Sequence, residues 1–140
     1  MREILFKGQR VDNGQWVYGS FVSYEKTFGI IEKENIEYTC DGGALEFLYT
    51  EVRFDTVSQF TGLLDKKGNK IFEGDRVKFH YFYQGVYYGG AIECEIEVEG
   101  VIEITSLGLF LKCENPDDGG YLLFYQPHED SFEKIGNIHE

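Results

Sequence analysis

Proline and methionine are nearly missing from this chain, with two of the first and one of the second in 140 residues. So little proline excludes an extended, proline-rich linker, and a hydrophobic content of 42% marks a globular rather than a disordered sequence. Alanine is scarce, whereas aromatic residues make up 16% of the chain, a bias that favours strands. Cysteine occurs three times, at Cys40, Cys94 and Cys113. An odd set so widely spaced contains no close pair of the kind that chelates zinc or exchanges disulfides, and it fits a reducing compartment. Long apolar runs are also lacking: none approaches the roughly 18 residues that span a bilayer, and Met1-Arg2-Glu3-Ile4 has no apolar signal core. The expectation is a cytoplasmic protein with no membrane partner.

Basic residues are in short supply as well. Thirteen Lys and Arg stand against twenty-five Asp and Glu, for a net charge of -12. Residues 1–62 hold six basic and ten acidic side chains, and residues 63–140 hold seven and fifteen, so the second half carries most of the negative field. Such a surface repels phosphate, and direct nucleic acid binding is not expected. Solubility accounts for the charge most simply, with a protein partner or a cationic ligand as the functional readings.

What the chain does have is turn chemistry between short alternating segments. Asp12-Asn13-Gly14 reads as a hairpin turn leading into Trp16-Val17-Tyr18, with Trp16 and Tyr18 assigned to the core. Val52 to Phe60 reads as extended, closed by Thr61-Gly62. The run from Gly62 to Val77 holds two reversals, Asp65-Lys66-Lys67-Gly68-Asn69 and Glu73-Gly74-Asp75, and delivers the chain into a strand at Arg76 to Tyr83. Gln84-Gly85 reads as the next turn. Beyond it, Ile92, Cys94, Ile96 and Val98 alternate with Glu93, Glu95, Glu97 and Glu99, the clearest period of two in the chain. Ile102 and Ile104 keep that parity past Gly100, which suggests one long strand. The fold class is therefore mainly β: a small SH3-like β-barrel in the C-terminal half (63–140) with an N-terminal β extension (1–62) packed on it, or both fused in one domain.

Three constellations deserve weighing. The Glu93, Glu95, Glu97, Glu99 ladder is a solvated strip on the bland reading and a phosphate mimic on the sharp one. Tyr81, Tyr83, Tyr87 and Tyr88 around one hairpin are more rings than a small core absorbs, which points to an oligomer contact. Glu73, Gly74 and Asp75 are the only paired carboxylates in a motif-like setting, and their simpler role is a structural turn. His128, Glu129, Asp130 and His139 match no chelate spacing, Cys94 reads as a small core residue, and Cys113 as an exposed one. Nucleophile elbows, phosphate loops and zinc-protease helices have no counterpart in the chain. No enzyme, catalytic residue, metal or cofactor is expected.

Several blocks in order give the chain a family likeness: Met1 to Arg10, Gly14-Gln15-Trp16-Val17-Tyr18-Gly19, Val57 to Leu63, Asp65 to Val77, and Ile135-Gly136-Asn137-Ile138. Together they resemble the YopX family of small phage- and prophage-encoded proteins. Ser58 stands where that family usually has glycine, and the stretch from His80 to Glu99 is longer than in its compact members. The resemblance implies a location in the host cell cytoplasm and supplies no catalytic residues. The resulting expectation is a non-catalytic binding or assembly module that self-associates as a homo-oligomer, with a host protein as a further possible partner. The alternative is an acidic DNA mimic that inhibits a host DNA-binding protein.

Overall fold

The computed structural model describes residues 3–33, 36–38, 45–47, 49–87, 90–123 and 131–139, and for 36–38, 45–47, 81–87, 91–94, 96 and 122 the backbone alone. The chain divides into two compact units, Met1–Phe60 and Thr61–Glu140. Strands dominate both.

The first unit contains β1 (Phe6–Gln9), β2 (Trp16–Tyr24), β3 (Thr27–Ile31), β4 (Ile36–Tyr38), β5 (Leu45–Phe47), β6 (Thr50–Glu51) and the start of β7 (Ser58–Leu64). Its main sheet is antiparallel in the order β6-β3-β2-β1-β7, and β4 pairs with β5 separately. The predicted turn at Asp12-Asn13-Gly14 joins β1 to β2, with Gly14 N–H donating to the Arg10 carbonyl at 2.9 Å. Val17, Ile30 and Val52 are buried, and Phe6, Phe21, Phe28 and Val57 pack on them. Alternation decides which aromatics go inside. Val17 takes the inward position, so Tyr18 is 47% exposed rather than in the core. The expected extended run from Val52 to Phe60 is interrupted by one 3-10 turn, Phe54–Thr56. There the buried Thr56 hydroxyl donates to the Arg53 carbonyl (2.6 Å) and accepts from Gln9 N–H (2.9 Å).

In the second unit the rest of β7 pairs with β8 (Lys70–Phe72), and a five-stranded antiparallel sheet follows in the order β12-β11-β10-β9-β13. Its members are β9 (Asp75–Tyr87), β10 (Gly90–Thr105), β11 (Gly108–Cys113), β12 (Gly120–Leu122) and β13 (Phe132–Asn137). Ile71, Val77, Phe79, Val98, Ile102, Leu111, Cys113 and Phe132 form the buried core, with Leu63, Tyr121 and Leu123 packed against it. Leu63 and Ile71 thus bring the β7–β8 hairpin onto one face of the sheet. Thr61 Oγ1 donates to the Ile71 carbonyl across that hairpin at 2.6 Å.

Three expectations are corrected here. Among the described residues no ladder joins β12 to β13, so the sheet is open and no closed barrel forms. Gln84-Gly85 is not a turn, because β9 continues through it and pairs Gln84 with Glu93 and Gly85 with Ile92. Cys113 is buried, since its position on β11 faces the core. The long strand through Gly100 is present as β10. Side chains at Cys94, Tyr81, Tyr83, Tyr87 and Glu93, and residues Tyr88, His128, Glu129 and Asp130 as a whole, lie outside what is described.

Candidate functional site

The two reversals of the Gly62 to Val77 run converge on the C-terminal strand. Asp65 is buried, and its Oδ1 accepts the N–H groups of Lys67 (2.9 Å) and Asn69 (2.8 Å). Its Oδ2 accepts the Asn69 side-chain amide and Lys134 N–H, both at 3.2 Å. Burial alone would push this carboxyl up, yet those donors outweigh it and hold the group below the usual carboxylate value. Gly68 supplies the positive φ of +82° that the tight turn needs, and Asn69 does not share that conformation.

Asp75 is fully buried at the second reversal. Its Oδ2 accepts Phe72 N–H (2.8 Å) and lies 3.3 Å from Lys134 Nζ, and its Oδ1 accepts the Asn137 amide (2.8 Å). Gly74, at φ +82°, donates its N–H to the Ile102 carbonyl (2.7 Å) and accepts Ile138 N–H (3.0 Å). Glu73 is half-buried. Asp75 and Gly74 of this reversal therefore fasten the β13 end to β9, and Asp65 fastens it from the neighbouring turn. Asp65 and Asn137 had no assigned role in the sequence reading. A carboxylate opening a tight Asp-x-x-Gly-Asn turn was the available signal for the first, and nothing pointed to the second.

On the outer face of the sheet, charges alternate from strand to strand. Lys66 Nζ meets Glu133 Oε2 at 3.1 Å, and the nearby Lys66 and Lys67 ammonium groups, with Lys78, hold the Glu133 carboxyl below its ordinary value. Lys78 Nζ lies 3.7 Å from Glu97 Oε1, and His80 Nε2 lies 2.6 Å from Glu95 Oε1. Arg76 Nε donates to Glu114 Oε1 at 2.6 Å, a bond that lowers the Glu114 carboxyl and raises the guanidinium. Glu97, Glu99, Glu114 and Asp118, with Lys78, border an open groove of about 410 Å³. The glutamate strip is thus exposed at Glu95, Glu97 and Glu99, with the Lys78 ammonium beside Glu97 and the His80 imidazole beside Glu95.

The most unusual geometry is the β9–β10 hairpin. It holds twelve registered pairs, from Arg76↔Val101 to Tyr87↔Gly90. β13 flanks β9 only as far as Phe79, and β11 flanks β10 only from Gly100. From His80↔Glu97 onward, no third strand pairs with the hairpin among the described residues, over a length of about 25 Å. This two-stranded stretch contains the backbone of Tyr81, Tyr83, Tyr87, Glu93, Glu95 and Glu97, while Glu99 sits at its root. These seven sequence-predicted residues are therefore gathered on one hairpin. Tyr81, Tyr83 and Tyr87 share register parity with core Phe79, and the glutamates share parity with Lys78 and His80.

Fold and surface define an all-β protein of two units, the second carrying a charge-alternating face and a long two-stranded extension. The chain belongs to the YopX family: the family model described as YopX protein matches residues 5–140. No curated protein and no solved structure matches it.

Proposed function

We propose that this protein is a non-catalytic assembly module that self-associates through the β9–β10 hairpin, in the host cytoplasm that a phage or prophage origin implies. The observation that carries this reading is the length of the hairpin past its flanking strands. A two-stranded ribbon is marginal alone in water, and it leaves backbone donors and acceptors along both margins. A neighbouring strand would satisfy them. The second unit is read as an SH3-like roll left open, supported by the β7–β8 hairpin lying on one face of the sheet. No helix of the described residues is long and apolar enough to cross a membrane.

A second reading, an acidic DNA mimic acting on a host protein, rests on the net charge of -12 and the glutamate strip. It ranks lower because Lys78, 3.7 Å from Glu97 and opposite Glu99 in the β9–β10 register, interrupts the run of negative charge. Light scattering across a concentration series tests the first reading. The expected result is a mass of at least twice the 16.2 kDa chain. A constant 16.2 kDa at every concentration overturns it.

A further inference from the structure

The directions of the backbone groups along the hairpin can be assigned from its flanks. In an antiparallel strand a residue's N–H and C=O point to the same side, and successive residues alternate. The Glu99 carbonyl accepts Glu114 N–H at 2.9 Å, on the side of β10 away from β9, whereas the Ile102 carbonyl accepts Gly74 N–H on the β9 side. Odd positions of β10 therefore direct their backbone groups outward, and these are Glu93, Glu95 and Glu97. On β9 the phase comes from Phe132, which sits opposite Phe79 and turns its carbonyl away from β9 to accept Lys66 N–H at 3.0 Å. Phe79 then bonds toward β10, and the outward groups belong to His80, Phe82, Gln84 and Val86.

The two margins are chemically opposite. Every outward position of β10 from 93 to 97 is a glutamate, whereas residues 81–87 of β9 (Tyr-Phe-Tyr-Gln-Gly-Val-Tyr) carry no charge. Charged residues on an edge block pairing with another strand. Two copies of a chain with net charge -12 can approach closely only where charge is absent, and a β10–β10 contact would set glutamate against glutamate. A basic partner strand would be drawn to the β10 margin, while the neutral, aromatic-rich β9 margin suits a copy of itself.

We infer that the occupant of the β9 margin is β9 of a second copy, running antiparallel about a two-fold axis. This deepens the assembly reading and rests on it. β13 holds the first part of that margin, up to Phe79, and the second copy takes the part from His80 to Tyr87. In such a joint, directly opposed residues share a face, so Tyr81, Tyr83 and Tyr87 positions of both copies fall on the face whose parity continues the Phe79 core.

Amide hydrogen exchange of the full chain, followed residue by residue at low and high protein concentration, tests the inference. Phe82, Gln84 and Val86 amides should slow by about tenfold or more as the assembly forms, while those of Glu93, Glu95 and Glu97 keep their rates. Gln84→Pro removes an outward donor without touching the β10 ladder and should lower the mass to 16.2 kDa, and Glu95→Pro on the opposite margin should not. Gln84→Lys, which puts like charges across the joint, should do the same as Gln84→Pro should that variant misfold. An assembled chain whose β9 amides show no concentration dependence, or whose β10 amides gain the protection, overturns this joint but leaves the assembly reading standing. A chain that never exceeds 16.2 kDa overturns the assembly reading itself.

Discussion

Replacing Asp75 by alanine should destabilise the second unit far more than loss of a turn hydrogen bond would. Turn bonds alone suggested about 1–2 kcal/mol. The structure adds two further partners to a fully buried carboxylate: the Asn137 amide at 2.8 Å and the Lys134 ammonium at 3.3 Å. Lys134 keeps 26% exposure and can be solvated, so the main loss is the acceptor of two buried donors, Phe72 N–H and the Asn137 amide, at about 1–3 kcal/mol each. Asp75→Ala should therefore lose about 4 kcal/mol, and Asp75→Asn, which keeps one acceptor but not the charge, somewhat less. Urea unfolding at fixed protein concentration is the assay. With a slope of about 2 kcal/mol per molar, the midpoint should fall by about 2 M. Adding Lys134→Ala to Asp75→Ala should cost less than the sum of the two single changes, by about 1 kcal/mol or more, because both remove the same contact. A midpoint within about 0.5 M of the parent, or strict additivity, would refute the view that Asp75 fastens β13.

Two further expectations concern buried groups of the second unit. The Asp65 carboxyl is held below its ordinary value of 3.8, so it contributes stability that is full above that pH and disappears as the pH falls through its folded-state value. Unfolding midpoints should thus drop on acidification more steeply for the parent than for Asp65→Asn, and equal slopes would count against the turn hydrogen bonds. Cys113 is buried, and desolvation together with Asp118 pushes its thiol up. In a Cys40→Ser/Cys94→Ser background the remaining thiol should react with a colorimetric disulfide reagent only as fast as the chain opens, and an immediate burst would show that β11 exposes it.

Local chemistry was legible where it is local. Alternation of isoleucine, cysteine and valine with glutamate identified β10, and the Asp-Lys-Lys-Gly-Asn and Glu-Gly-Asp reversals identified the start of the second unit. Residue type misled where parity should have ruled. Tyr18 is an aromatic on the outward parity of β2, and Gln84-Gly85 has the composition of a turn while its backbone stays in the β9 ladder. That misreading shortened β9 and hid the two-stranded extension, the feature on which the assembly reading depends. Partners distant in sequence were not visible at all. Asp65 meets Lys134 across 69 residues and Asp75 meets Asn137 across 62, and no spacing rule connects them.

The β9 joint is tested most directly by mixing differently isotope-labelled copies of the chain and recording only intermolecular nuclear Overhauser contacts. The account predicts cross-peaks between copies among the backbone protons of Phe82, Gln84 and Val86. An assembled sample whose intermolecular cross-peaks arise elsewhere, from Glu93 to Glu97 or from the first unit, would contradict it.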